Sequence, residues 1–171
     1  IARYPRWIPK GAWPGFVGGL LYYRDDTHSR AGLYAMPIQR DARGAIVHAN
    51  ENERELMART AGESAANFFP DGSFVFNSTE VHKNVFSFDD LFYMPAGATS
   101  PSGLDGVRTR LTEAFRASDP ALSPDGRRIA FVSNHRGTRW LQIANITPNG
   151  VSDVHSPIRG DRFDQVFTPR W

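Results

Sequence analysis

One phrase recurs in this chain, and it constrains the fold more than any other feature. Residues 119–126 read Asp119-Pro120-Ala121-Leu122-Ser123-Pro124-Asp125-Gly126, followed by the apolar run Ile129-Ala130-Phe131-Val132. Residues 66–76 repeat the plan: Ala66-Asn67-Phe68-Phe69-Pro70-Asp71-Gly72, then Ser73-Phe74-Val75-Phe76. Each copy reads as a strand, a tight turn and a second strand. Ser123 suits the first position of a type I turn, Pro124 presets φ at the next, and Asp125 tolerates the third. Gly126 takes the left-handed position that lets the second strand leave antiparallel. Pro70, Asp71 and Gly72 supply the same turn in the other copy, and both aspartates are read as accepting backbone N–H groups across it. A looser copy opens the chain at residues 4–11, with Ile8 and Lys10 in the Ser and Asp places. Its Pro5-Arg6-Trp7 step returns as Pro169-Arg170-Trp171.

Aligned on Trp7, Phe68, Leu122 and Trp171, the units recur at roughly 50–60 residues, close to a four-stranded propeller blade with loop insertions. The expected units are approximately 1–61, 62–115 and 116–164, with 165–171 as the first strand of a fourth. Third strands match as Leu33-Tyr34-Ala35-Met36, Leu91-Phe92-Tyr93-Met94 and Leu141-Gln142-Ile143-Ala144. Fourth strands are placed at 55–60, 107–112 and 151–155. Residues 51–59 would also suit a short helix, since Glu55 and Arg59 stand four apart. The second strands, Phe74-Val75-Phe76 and Ile129-Ala130-Phe131-Val132, are apolar on both faces. A sheet covered on one side would alternate, so the units must stack, each sheet between neighbours. The fold class is therefore all-β: a partial β-propeller of about three four-stranded antiparallel blades.

Composition agrees with many short strands joined by turns: 15 Gly and 12 Pro in 171 residues, with 40% hydrophobic residues. A net charge of +2 gives no electrostatic footprint for nucleic acid or an anionic membrane. There is no cysteine, hence no disulfide framework and no thiolate metal site. No apolar run reaches the length of a membrane span. A start at Ile1 and a stop in mid-pattern read as a piece of a longer polypeptide.

The phrase at 120–133 resembles the WD40-like (PD40) repeat of TolB-like β-propellers, and 66–76 resembles it with Phe69 in the Ser place. The resemblance implies one of two settings. The first is a non-catalytic, protein- or peptide-binding or scaffolding segment of a larger bacterial protein, periplasmic or secreted. The alternative is the substrate-gating propeller of a prolyl oligopeptidase-like serine peptidase whose catalytic domain lies outside this chain. In either, the remaining blades of the same polypeptide are partners.

No nucleophile elbow, phosphate loop, dinucleotide fingerprint or His-Glu-x-x-His motif is present, so no catalytic residue, cofactor or metal is assigned. His28, His82 and His135 each fall in the loop between the second and third strand of their unit. Such loops share one face of a propeller and carry ligands in many folds. With Arg24, Asp25, Arg30, Lys83, Arg136 and Arg139 they form a candidate, mainly cationic rim suited to acidic partners. The carboxylate pairs Asp25-Asp26 and Asp89-Asp90 lack calcium-loop spacing and are read as turn or cap residues. Residues 77–89 are read as a long loop, as are 95–106.

Overall fold

The computed structural model describes residues 2–12, 18–25, 31–83, 86–100, 106–135, 137–158 and 165–171, with His82 described by its backbone alone. The described residues form strands, turns and one turn of 3₁₀ helix, Glu51–Glu53. Three antiparallel sheets follow one another in chain order. The first runs β1 (Ala2–Ile8), β2 (Gly19–Arg24) and β3 (Gly32–Arg40). Its fourth place is shared by β4 (Ile46–Ala49), beside residues 38–40, and β5 (Glu55–Arg59), beside residues 32–35. The second sheet is β6 (Ala66–Phe68), β7 (Phe74–His82), β8 (Phe86–Met94) and β9 (Thr109–Arg110). The third is β10 (Ala117–Leu122), β11 (Arg128–His135), β12 (Thr138–Thr147) and β13 (Gly150–His155).

These sheets stack face to face, which explains their apolar second strands. Phe74 and Phe76 pack with Leu21, Leu33 and Met57 of the first sheet. Val75, between them in sequence, packs with Leu122, Ile129 and Phe131 of the third. All three β7 residues are fully buried, because alternate side chains leave a strand on opposite faces and both faces here are covered. Each such burial contributes about 1.5–3 kcal/mol. The chain is thus three consecutive blades of a partial β-propeller.

Turns between first and second strands also stack. In the third blade Gly126 N–H donates to Ser123 O (2.8 Å), and Asp125 accepts from Ser123 Oγ (2.6 Å) and Arg127 N–H (3.1 Å). These bonds, the Ser123 one foremost, hold the exposed Asp125 carboxyl below its usual pKa. In the second blade Gly72 N–H donates to Phe69 O (3.0 Å), and Asp71 accepts from Ser73 N–H (2.9 Å) and Oγ (2.6 Å). Both glycines have positive φ, +87° and +68°. A Cβ on Gly72 would lie 2.5 Å from Ala12 of the first blade's turn, and one on Gly126 3.3 Å from Pro70. The turns therefore form a ladder along one side of the stack.

Three sequence readings need correction or refinement. Residues 77–89 are not a long loop: β7 and β8 stay paired from Phe74↔Met94 out to His82↔Phe86. The polar outer half of this hairpin passes the end of the apolar stack, where backbone pairing continues without a core to demand apolar side chains. In the first blade, strand β5 occupies the span that would also suit a short helix, and the single 3₁₀ turn only leads into it. Residues 165–171 keep the bend of a first strand without its ladder. They run across the outer face of the third sheet, with Val166 N–H on Arg139 O (3.1 Å) and Trp171 Nε1–H on Ala121 O (2.8 Å).

Candidate functional site

The first strand of each blade carries the construction of the site. Pairing of β1 with β2 slips between Arg3 and Arg6, and pairing of β10 with β11 slips between Ser118 and Ala121. Each slip holds a residue just before a proline with left-handed backbone: Tyr4 (φ +55°) before Pro5 and Asp119 (φ +53°) before Pro120. Thr168 (φ +42°) before Pro169 repeats the step in the last segment. The ring of the following proline disfavours the α region for these residues, and the bulge re-aims their side chains. The repeated bend is therefore a device for turning one side chain per blade away from the ladder.

Tyr4 and Asp119 turn into a cleft of about 550 Å³ at the end of the stack where the β7–β8 and β11–β12 hairpins stand. Thr79 and Asp89 line it from the second blade, Arg139 from the third, and Glu63 from the link between first and second blades. Asn77 fixes that link, its side chain accepting from Ala65 N–H (2.8 Å) and donating to Glu63 O (2.9 Å).

Most charges in the cleft are matched. Asp119 accepts from Arg139 (2.9 Å), whose guanidinium also donates to Ser118 Oγ (3.2 Å) and lies 4.5 Å over the Phe167 ring. Glu63 pairs with Arg3 at 2.5 Å. Burial, and then the neighbouring Glu63 carboxylate, push the Tyr4 phenol above its ordinary pKa. Asp89 accepts from Thr79 Oγ1 at 2.6 Å. Arg116 lies 4.4 Å over the Phe88 ring. Burial, and then the charge of Arg170, lower the pKa of Arg6. The cleft offers charge of both signs, hydroxyls and aromatic edges on a rigid frame, a combination suited to binding. Among the described residues no group of three or more His, Asp or Glu is placed to hold a metal ion.

The structure distributes the proposed rim over several places. Arg139 lines the central cleft. His135 lies in a neighbouring hollow with Glu113 and Arg116, its ring 6.1 Å from Trp140. Asp25 lines a third hollow with Arg3, Tyr23 and Glu63. Glu63 is common to this and to the central cleft, so both open on one end of the stack. Arg24 is paired with Glu51. Lys83 is exposed at the β7–β8 turn with φ +51°. His28, Arg30 and Arg136 lie outside the described residues, as does Asp26, and the His82 side chain is likewise not described. The rim reading passed over Tyr4, Glu63, Asp89, Arg116 and Asp119. The recurrent residue-before-proline step was the signal for two of them.

No helix among the described residues is long and apolar enough to cross a membrane. No family model matches the sequence, and no curated protein matches it. Solved structures do match. One, assigned as TolB from Agrobacterium tumefaciens, aligns at 20% identity with a TM-score of 0.48, covering 94% of this chain and 62% of that one. The chain therefore spans less than two thirds of that protein's length.

Proposed function

We propose that this chain is a non-catalytic, protein- or peptide-binding segment of a larger bacterial propeller, acting in the periplasm or outside the cell. Its ligand surface is the end of the stack bearing the middle hairpins, with the central cleft as its seat. The single observation that carries this reading is the cleft itself. Backbone strained at Tyr4 and Asp119 is kept in a rigid sheet stack, at a cost of order 1–3 kcal/mol per residue. What that strain achieves is to turn a phenol and a carboxylate into a shared opening. The address follows from the resemblance of the repeat to TolB-like propellers, and the remaining blades of the polypeptide would complete the surface.

A selection of displayed random peptides on the folded chain tests this. Ser87 is exposed and lines the cleft, so Ser87→Trp fills the mouth with little effect on the core. Selected peptides should bind the S87W variant at least about tenfold more weakly, about 1.4 kcal/mol. Val47→Trp, on exposed β4 away from the cleft, should leave them unaffected. Equal binding to all three proteins would remove the cleft as the ligand seat.

A further inference from the structure

The charges of the central cleft are not all spoken for. Asp119 has Arg139 and Glu63 has Arg3. Asp89, by contrast, accepts only the Thr79 hydroxyl on one oxygen. Arg116 has the Phe88 ring beneath it. Among the described residues neither has an ion-pair partner, and they do not pair with each other although Phe88, the residue next to Asp89, is the ring that Arg116 covers.

The separation of these two charges is built in. Arg116 belongs to a short connection between β9 and β10 that contains two left-handed residues, Ala114 (φ +58°) and Arg116 itself (φ +52°). That connection is fastened from below by Asp90, which is fully buried. Asp90 accepts the N–H groups of Ala114 (3.0 Å) and Phe115 (3.1 Å) and the Thr112 hydroxyl (2.9 Å), and pairs with Arg110. Arg116 N–H and side chain thus start from a backbone that is fixed, and Asn134 N–H bonds its carbonyl at 3.1 Å. Asp89 is fixed in turn by its place in the β7–β8 ladder, opposite Thr79. Asp89 is half-buried and Arg116 exposed, and opposite charges lining one cleft attract each other. A frame that keeps both in place and unpaired leaves each free to meet a partner from outside.

We infer that the cleft recognises a peptide segment carrying one acidic and one basic side chain, the acid meeting Arg116 and the base meeting Asp89, with Phe88 as the apolar floor. This rests on the peptide-binding reading above and gives it a chemistry. A purely acidic segment leaves Asp89 unmatched and a neutral one leaves both charges unmatched, which costs most at the half-buried carboxylate.

The test is an NMR titration of the full 171-residue chain with capped alanine-based peptides taken to millimolar concentration. One set carries Glu and Lys at several spacings, and matched sets carry Gln for Glu or Met for Lys. The best Glu/Lys peptide should bind at least about tenfold more tightly than either matched peptide, as expected for one charge-assisted hydrogen bond each. Arg116→Gln should erase the Glu-for-Gln difference and keep the Lys-for-Met one. Asp89→Asn, which retains the acceptor for Thr79, should do the reverse. Arg116→Lys should restore part of the first difference. Matched peptides that bind equally well, differences that survive both variants, or no shifts at all would each overturn the inference. If peptide binding is still weakened by Ser87→Trp but shows no charge preference, the binding reading stands and this one falls.

Discussion

Asp90 has no exposed surface, yet every bond it accepts is accounted for: Arg110, Thr112 and two backbone N–H groups. A buried carboxylate is tolerated only when so matched. Its removal leaves Arg110 unpaired and two N–H groups orphaned. Asp90→Ala should therefore destabilise the chain by about 3–5 kcal/mol, measured as a fall in urea midpoint. A variant that melts within about 0.5 kcal/mol of the parent would show the site is not this tightly coupled. The pair Asp89-Asp90 also shows where sequence reasoning stops. Two adjacent acids look alike in a string, but a strand sends neighbours to opposite faces. One is then consumed by structure and the other opens on the cleft. Arg116 was illegible for a related reason, since its direction depends on a carboxylate 26 positions earlier in the chain. Tyr4 and Asp119 were nearer to legible, because each precedes a proline at the same place in its repeat.

The turn ladder carries the register of the blades. Gly72 and Gly126 occupy matching places, and both have positive φ, but their surroundings differ. At Gly72 an added methyl would meet Ala12 Cα and Cβ at 2.6 and 2.5 Å, backbone that cannot step aside. At Gly126 it would meet Phe69 and Pro70 side-chain atoms at 3.3 Å, which can yield by a few tenths of an ångström. Gly126→Ala should cost about 1–2 kcal/mol, chiefly for the left-handed backbone. Gly72→Ala should cost at least about 2 kcal/mol more, as overpacking adds to the same strain. Equal losses for the two, read from thermal or urea melts, would count against blades in direct turn-to-turn contact. The strands themselves were legible wherever both faces are buried, since Phe74-Val75-Phe76 has no polar position to confuse it. The outer half of the β7–β8 hairpin was not, because Asn77, Ser78 and Glu80 pair through backbone atoms and their side chains carry no strand signature. The split fourth place of the first blade escaped for want of any pattern in the exposed residues of β4.

At the scale of the molecule, the two ends of the stack differ. The outer face of the third sheet is crossed by residues 165–171, with Arg128 over the Trp171 ring at 4.7 Å. The outer face of the first sheet has no such cover among the described residues. There Trp7, Leu20 and Met36 stand in one cross-strand row, Trp7 is 57% exposed, and Leu20, Tyr22 and Met36 line an apolar groove of about 310 Å³. Apolar faces of this kind drive association. The isolated chain should sediment as a mixture of sizes at micromolar concentration, and Trp7→Lys combined with Leu20→Lys should shift it toward monomer. A parent that sediments as a single monomeric species and melts reversibly would mean the face is less adhesive than its composition suggests.

The divided fourth place of the first blade has a practical consequence. Between β3 and β4 the chain makes a tight reversal at Asp41, Ala42, Arg43 and Gly44, closed by Asp41 accepting from Arg43 and Ala45 N–H at 2.9 Å. All four residues are exposed, and a Cβ on Gly44 would meet nothing within 4 Å. It lies on the short strand, so whatever is spliced in there disturbs only β4, while β5 continues to close the sheet. This tip is the natural port for a fluorescent reporter or an affinity handle, leaving the end of the stack that holds the central cleft clear.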